Sequence, residues 1–411
     1  MKSLVVRGPF RGPTGYDRSV RGFVRELHRQ GVAIELRDCP NWSRAKLAHD
    51  AQDTLFSSLE RPLRDVQTVL HFCLPTQVVR HPGRLNVNFT VFEATHTPVT
   101  WVAENRRHDL VIVPTESSRN AWLRSGMPAH RVRVCPQGVD PATFSREAVP
   151  LPLLLEDGSV VSDYRTRFLH IAEFTARKNL MGLLRVWIEG TSPADDAVLI
   201  VKLGLYDDDA QGRFLRQLGL LQERLGKGLA DAAPVTFITG TVGDAEMPRF
   251  YATATHYITL SFGEGWDYPM MEAGASGLKL IAPAHSAYLA YLDSSVATMI
   301  PCREVPAEDS DNPDLSALFR RANWWEPDRD LAAQAIRAAI DGKDVHTAPA
   351  RERILSQFTW HRAASRLTAI LDELEGLRAK IPSFAALRSS MRATTATGRS
   401  ASDAPPGPSP S

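Results

Sequence analysis

Ser261-Phe-Gly-Glu-Gly-Trp-Asp-Tyr-Pro-Met-Met-Glu-Ala-Gly-Ala-Ser-Gly277 is the stretch that decides how this chain is read. Ahead of it, the apolar run Tyr257-Ile-Thr-Leu260 reads as a buried strand. From about Tyr268 a short helix begins, with Pro269 placed early, where a missing N–H does no harm. Gly277 closes that helix, and Lys279-Leu-Ile-Ala282 opens another strand. Glu264 and Glu272 therefore fall in the loop and helix that follow a parallel strand, where open α/β sheets place their ligands. The free N–H groups of the helix favour an anion nearby. A carboxylate pair beside an anion site suits a ligand that is part phosphate and part polyol. The competing reading is an ordinary helix N-terminus with acids placed for its dipole. Two carboxylates with glycine and proline punctuation between strands favour the ligand.

Working outward, the first half of the chain alternates strands and helices. Leu4–Val6 reads as a strand, and the glycine-rich loop from Gly8 to Gly15 follows it. Asp17 is the expected cap of a helix carrying Val20, Phe23, Val24 and Leu27 on one face, and Gly31 ends it. Apolar runs at Val32–Leu36, Val66–Phe72, Val87–Phe92, Leu110–Val113 and Val132–Val134 read as further strands, with a helix between the last two capped by Thr115 and stopped by Gly126. A proline-interrupted stretch at 145–163 breaks the pattern. A second series then runs through Phe168–Ala172, Ala197–Leu203, Val235–Ile238, Tyr257–Leu260 and Leu280–Ala282. Such alternation predicts parallel sheets covered on both faces, and two units joined by one linker leave a cleft between them.

With 411 residues, two or three domains are expected. The 48 basic and 47 acidic side chains nearly cancel, so no global charge points to nucleic acid. No run approaches a membrane span, and the N-terminus reads as a strand rather than a signal peptide. Cys39, Cys73, Cys135 and Cys302 stand far apart without C-x-x-C spacing, which argues against a zinc cluster and fits a reducing compartment. The expectation is a cytoplasmic enzyme.

The segment around Glu264 resembles the E-x7-E motif of retaining glycosyltransferases of the GT-B fold, especially family 4, with its pattern Glu-Gly-Phe-Gly-Leu-Pro-x-x-Glu-Ala. The resemblance covers about residues 1–375 and implies an α/β protein of two Rossmann-like domains facing across a cleft. The expected boundaries are 1–150 for the acceptor-side domain and 163–360 for the nucleotide-sugar-binding domain. Residues 361–385 are expected as C-terminal helices returning to the first domain, and 386–411, rich in Ser, Thr, Ala, Gly and Pro, as a disordered tail. By the same resemblance Glu264 reaches sugar hydroxyls, Glu272 holds the ribose, and Gly265, Trp266 and Asp267 cup the donor sugar. Trp266 stands where Phe is usual. Asp267 stands where Gly is usual and adds a charge beside the diphosphate.

Five further groups of residues stand out. Arg177-Lys178-Asn179 puts two cations at the start of a helix, a poor place for them unless an anion is shared. The resemblance implies that Lys178, and to a lesser extent Arg177, neutralise the donor diphosphate; Glu173 stands where one form of the motif has Arg, and Lys202 is a weaker candidate for the same cleft. Gly15 and Tyr16 sit in a strand-to-helix turn that either approaches the diphosphate or is a tight turn and nothing more. Glu93 and His96 follow a strand whose end faces the groove, where family members carry a histidine; each either assists the acceptor hydroxyl or is structural. Pro136-Gln-Gly138-Val-Asp140 is similar to the family's turn before the interdomain linker. Arg18, Arg21, Arg25 and Arg29 fall opposite the apolar face of the first helix, as a solvated stripe or as a peripheral contact with anionic lipid headgroups.

The resemblance implies transfer of a sugar from a nucleotide-diphosphate sugar to an acceptor hydroxyl of a glycan, a lipid-linked or a small-molecule acceptor, with retention. No cofactor and no metal are expected, since the cations and helix N-termini supply positive potential. Alternatives are a nucleotide-sugar epimerase or a phosphorylase on the same fold, and a non-catalytic carbohydrate-binding scaffold. A nicotinamide oxidoreductase fits poorly, because the first loop lacks G-x-G-x-x-G.

Overall fold

The computed structural model describes residues 2–380 apart from 40–41, 43–46, 48–52, 145–146, 206–208, 241, 244, 310–312, 345 and 347–348. The tail expected over 386–411 and the segment 381–385 lie outside the described residues.

Two six-stranded parallel sheets organise the chain. The first contains β1 (Ser3–Arg7), β2 (Ala33–Arg37), β3 (Thr68–Phe72), β4 (Leu85–Phe89), β5 (Leu110–Val113) and β6 (Val132–Val134), in the order β2-β1-β3-β4-β5-β6. The second contains β7 (Thr166–Glu173), β8 (Ala197–Gly204), β9 (Val235–Ile238), β10 (His256–Ile258), β11 (Lys279–Pro283) and β12 (Thr298–Ile300), in the order β12-β11-β10-β7-β8-β9. An antiparallel hairpin, β13 (Cys302–Pro306) and β14 (Asn323–Pro327), follows. The continuous apolar runs noted in the sequence become these strands because both faces are covered: every residue of β3, β4 and β5 is buried.

Strand order reverses once in each sheet. The chain moves outward from β1 to β2 and returns to β3, and it moves from β7 out to β9 before returning to β10. Such switch points leave a crevice at the carboxyl ends of the strands. The loops after β1, β7 and β10 are the three that carry Gly15, Lys178 and Glu264.

The helix Gly15–Arg29 buries Val20, Phe23, Val24 and Leu27 against the first sheet, each contributing about 1.5–3 kcal/mol. Its cap differs from the expectation. Thr14, not Asp17, is the N-cap and accepts from the Asp17 amide. The Asp17 carboxylate turns back instead and accepts the Gly12 amide at 2.6 Å, so this N–H is already engaged. Thr115 caps Glu116–Arg124 as the sequence implies, and Gly31, Gly126 and Gly277 each take a positive φ just past a helix end. The last helix, Trp360–Ala379, packs Ala363, Leu367, Ile370 and Leu371 into the core of the first sheet. Trp360 leads it there. A Cβ on Gly22 would stand 2.3 Å from that indole, so the close approach requires glycine. At the same junction Val139 of the Pro136–Asp140 turn forms a β-bridge with Thr359.

Candidate active site

The cleft between the sheets holds a cavity of about 400 Å³. The loops from β1, β4, β7 and β10 all reach it, bringing Gly15, Tyr16, Glu93, Arg177, Lys178, Glu264, Gly265, Trp266 and Asp267 together with Lys202. Two sequence candidates are placed elsewhere. Glu272 lies just behind the wall on the helix Tyr268–Ser276, and His96 bonds its Nδ1 to Thr95 Oγ1 at 3.0 Å without reaching the cavity.

Glu264 is the centre of charge. Its carboxylate is 4% exposed, with Lys178 Nζ donating at 2.7 Å and Arg177 at 3.0 Å. Burial works to raise its pKa, but the two cations prevail and hold it below the usual carboxylate range. The same pairing raises the pKa of both Arg177 and Lys178 against their own desolvation. Arg177 also donates to the Gly263 carbonyl and stands 3.8 Å from Glu93. The anion demanded by two cations at a helix start is thus Glu264 itself. A short turn, Ala176–Lys178, and Asn179 at φ 51° lead into Leu180–Gly190, and the Asn179 amide anchors the turn to the Leu260 carbonyl at 2.8 Å.

The backbone of the Glu264 loop runs against the first half of the chain. A Cβ on Gly263 would sit 2.2 Å from the Glu93 carbonyl oxygen, and one on Gly265 2.7 Å from Val91 Cβ. Any larger residue would push the two sheets apart there. The loop is braced from behind by a relay. The Glu264 amide donates to Ser286 Oγ at 3.1 Å, Ser286 Oγ lies 2.7 Å from His285 Nδ1, and His285 Nε2 lies 2.7 Å from the Ser261 carbonyl. The carbonyl assigns the ring proton to Nε2, so Ser286 donates to Nδ1. Burial pushes the His285 pKa down to about 4, so the ring is neutral.

Asp267 departs most from ordinary chemistry. It adopts φ 63°, the left-handed conformation that glycine tolerates best, which accounts for Gly being usual in the motif. Its side chain is buried, with Tyr288 donating to Oδ2 at 2.7 Å and Oδ1 without a hydrogen-bond partner among the described residues. Burial first, and then the neighbouring Glu264 charge, push its pKa from 3.8 up to about 6. Trp266 packs its ring against Tyr291 and Phe358 inside the second half.

Glu272 accepts Arg18 at 2.7 Å and the Tyr251 hydroxyl at 2.8 Å. The Arg18 contact joins the two halves across the cleft, and Ser19, Gln137 and Tyr268 form a hydrogen-bonded group beside it. This revises the arginine stripe. Arg18 lines the cavity, and Arg21 is buried, donating to the Phe10 and Gly12 carbonyls at 3.0 and 2.7 Å. Arg25 is half-buried against Asp53, and Arg29 is exposed. The four therefore form no common outer face, because the first half of the helix lies against the cleft and the Phe10–Gly12 loop, which take Arg18 and Arg21. The apolar period marks the inner face correctly, but the opposite side is neither a uniform solvated stripe nor one outer surface, since the first turn abuts the cleft. A residue one turn past the Gly15 loop is within reach of whatever that loop approaches, and this was the signal for Arg18. Tyr16 is anchored through its hydroxyl, 2.9 Å from Thr90 Oγ1, and its ring lies 4.7 Å from that of Trp42. Lys202 lines the cavity with no hydrogen-bond or ion-pair partner among the described residues; burial and the nearby Arg18 lower its pKa.

No protein-family model and no curated protein matches the chain. Solved structures do. HepE from Anabaena, in complex with UDP and glucose, is similar over 91% of this chain and 100% of its own, with a TM-score of 0.59 at 13% identity. Sucrose-phosphate synthase from Thermosynechococcus elongatus is similar over 92% of this chain and 100% of its own, with a TM-score of 0.61 at 16% identity. For α,α-trehalose 6-phosphate synthase from Burkholderia multivorans the figures are 92%, 99%, 0.59 and 12%. At these identities the likeness is one of fold, and the fold of this chain is GT-B, two Rossmann-like halves facing across a cleft.

Proposed function

We propose that this chain is a glycosyltransferase that moves a sugar from a nucleotide-diphosphate sugar to an acceptor hydroxyl, with retention of configuration and without a metal. The observation that carries the reading is the Lys178–Glu264–Arg177 cluster, set where two parallel sheets point their carboxyl ends into one cleft. A nucleoside diphosphate leaving group develops negative charge as its bond to the sugar breaks. Fixed cations in a water-poor site stabilise that charge without reorganising. Lys178 and Arg177 are held by Glu264 until the diphosphate arrives, and then exchange one anion for the other. The released Glu264 carboxylate is an acceptor for the sugar hydroxyls. Glu272 receives the ribose once Arg18 turns from it, so donor binding and adjustment of the two halves are linked.

Retention follows from attack on the leaving-group face, where a phosphate oxygen takes the acceptor proton. Glu93, beside Arg177, is the side chain placed to orient the acceptor hydroxyl; His96 has no part in this step. The likeness to HepE, solved with UDP and with UDP-glucose, supports a nucleotide-sugar donor. No helix among the described residues is long and apolar enough to cross a membrane, and the reading places the enzyme in the cytoplasm, acting on a glycan, a lipid-linked or a small-molecule acceptor.

The test is turnover. Incubating the protein with UDP-, GDP-, ADP- and dTDP-sugars and a panel of acceptor glycosides, with and without EDTA, is expected to release a nucleoside diphosphate from one donor. Proton NMR of the product gives an anomeric coupling matching the donor. An inverted product overturns the retaining assignment, and loss of turnover in EDTA overturns the metal-free one. Donor conversion without acceptor points instead to an epimerase.

A further inference from the structure

We propose that a second cavity in the cleft is a carbohydrate-binding site separate from the one that holds Glu264. It encloses about 600 Å³, within the range of ligand sites. Glu116, Asn120 and Arg124 line it from the first half, and His285, Trp325 and Glu304 from the second. A backbone partition divides it from the first cavity. The Glu93 carbonyl meets Gly263 so closely that a Cβ there would lie 2.2 Å away. Glu93 lines one side of this wall and Thr95 the other.

The chemistry of the lining selects a neutral saccharide. Trp325 is half-buried, with the His285 ring stacked on it at 5.4 Å and 12°, giving a flat and rigid platform. An indole face takes the C–H side of a sugar ring, and its N–H remains a donor. That N–H makes no hydrogen bond to a described residue. Asn120 and Arg124 are exposed one helical turn apart on Glu116–Arg124 and likewise have no partner among the described residues. Planar amide, guanidinium and carboxylate groups bridge adjacent hydroxyls with two hydrogen bonds at once. Two carboxylates, Glu116 and Glu304, share the lining with the single cation Arg124, so the cavity disfavours phosphorylated or acidic ligands. That balance separates it from the cation-rich cavity beyond the partition.

A saccharide seated here rests on His285 and Ser286, the pair that braces the Ser261 carbonyl and the Glu264 amide. The site therefore touches the back of the loop whose front carries Glu264. It goes beyond the transferase reading and does not depend on it.

The experiment is saturation-transfer NMR on the full chain with lactose, maltotriose, mannotriose and chitotriose, in the absence and presence of excess UDP. At least one sugar is expected to receive saturation, and UDP leaves the signal in place. The exposed double variant Asn120→Ala/Arg124→Ala weakens the binding by about tenfold or more, as does Trp325→Ala. Should Trp325→Ala fail to fold, the double variant decides alone. No transfer to any of the four sugars overturns the proposal. So does transfer that ignores the double variant or disappears with UDP, since the sugar then sits beside Glu264. Variant-sensitive saccharide binding in a protein that binds no nucleoside diphosphate supports this site while overturning the transferase reading.

Discussion

The two halves share a plan and differ in what they bring to the cleft. Each sheet reverses strand order once and turns its loops toward the other. The second half supplies a closed electrostatic unit, with Lys178 and Arg177 on the loop after β7 gripping Glu264 on the loop after β10. The first half supplies surfaces more than charges: the Gly15–Tyr16 turn, the Val91–Glu93 backbone, and Arg18 reaching over to Glu272. Charge that must be ready before a ligand arrives is thus built within one half, where the geometry does not depend on how the halves approach. Contacts that report their approach are built between them.

The sharpest way to break this comparison is to open the closed unit. Lys178→Ala leaves Glu264 buried with Arg177 and removes a fixed cation from the leaving group; turnover is expected to fall by about 100-fold or more. Steady-state release of nucleoside diphosphate measures it. Next comes the seam between the halves. Gly263→Ala forces a methyl against the Glu93 carbonyl and is expected to destabilise the protein by about 2–4 kcal/mol, read by urea unfolding. Gly240→Ala, with nothing within 4 Å of its added Cβ, is the control.

Asp267 sharpens the account through pH. Its folded pKa, about 6, lies above 3.8, so the folded state binds the extra proton. Its contribution to stability is complete below about pH 4 and is lost as pH rises through about 6, on the order of 3 kcal/mol. Asp267→Asn removes that slope, so the variant gains on the wild type between pH 4 and 6 in paired urea titrations. A constant difference across that window contradicts the assignment. The smallest effects concern the first helix. Arg21→Ala breaks two buried contacts and is expected to cost about 2 kcal/mol, whereas Arg29→Ala at the exposed end stays within about 0.5 kcal/mol. Thermal melts of the pair separate an inward-turned stripe from a uniformly solvated one.

The parallel sheets were legible because their strands are predominantly apolar, and runs such as Leu110–Val113 and Val235–Ile238 begin and end where the structure has them. Helix ends marked by Thr115, Gly31 and Gly277 were equally plain, since each carries its own stereochemical reason. The Glu264 loop announced itself through spacing. Its partners did not, because a contact between Arg18 and Glu272 spans 254 positions and no local pattern encodes it. The same is true of the Ser286–His285 brace. Asp17 misled because a first-turn aspartate and an N-cap look alike in sequence, and only the backbone conformation of Thr14 tells them apart.

The central claim is that Lys178 and Arg177 trade Glu264 for the diphosphate of a ligand. Isothermal titration of the wild type and Lys178→Ala with UDP, GDP, ADP and dTDP tests it most directly. The account predicts that one of these binds the wild type and loses about tenfold or more in affinity with the variant. Equal affinity for both proteins, or no binding of any of the four, contradicts it.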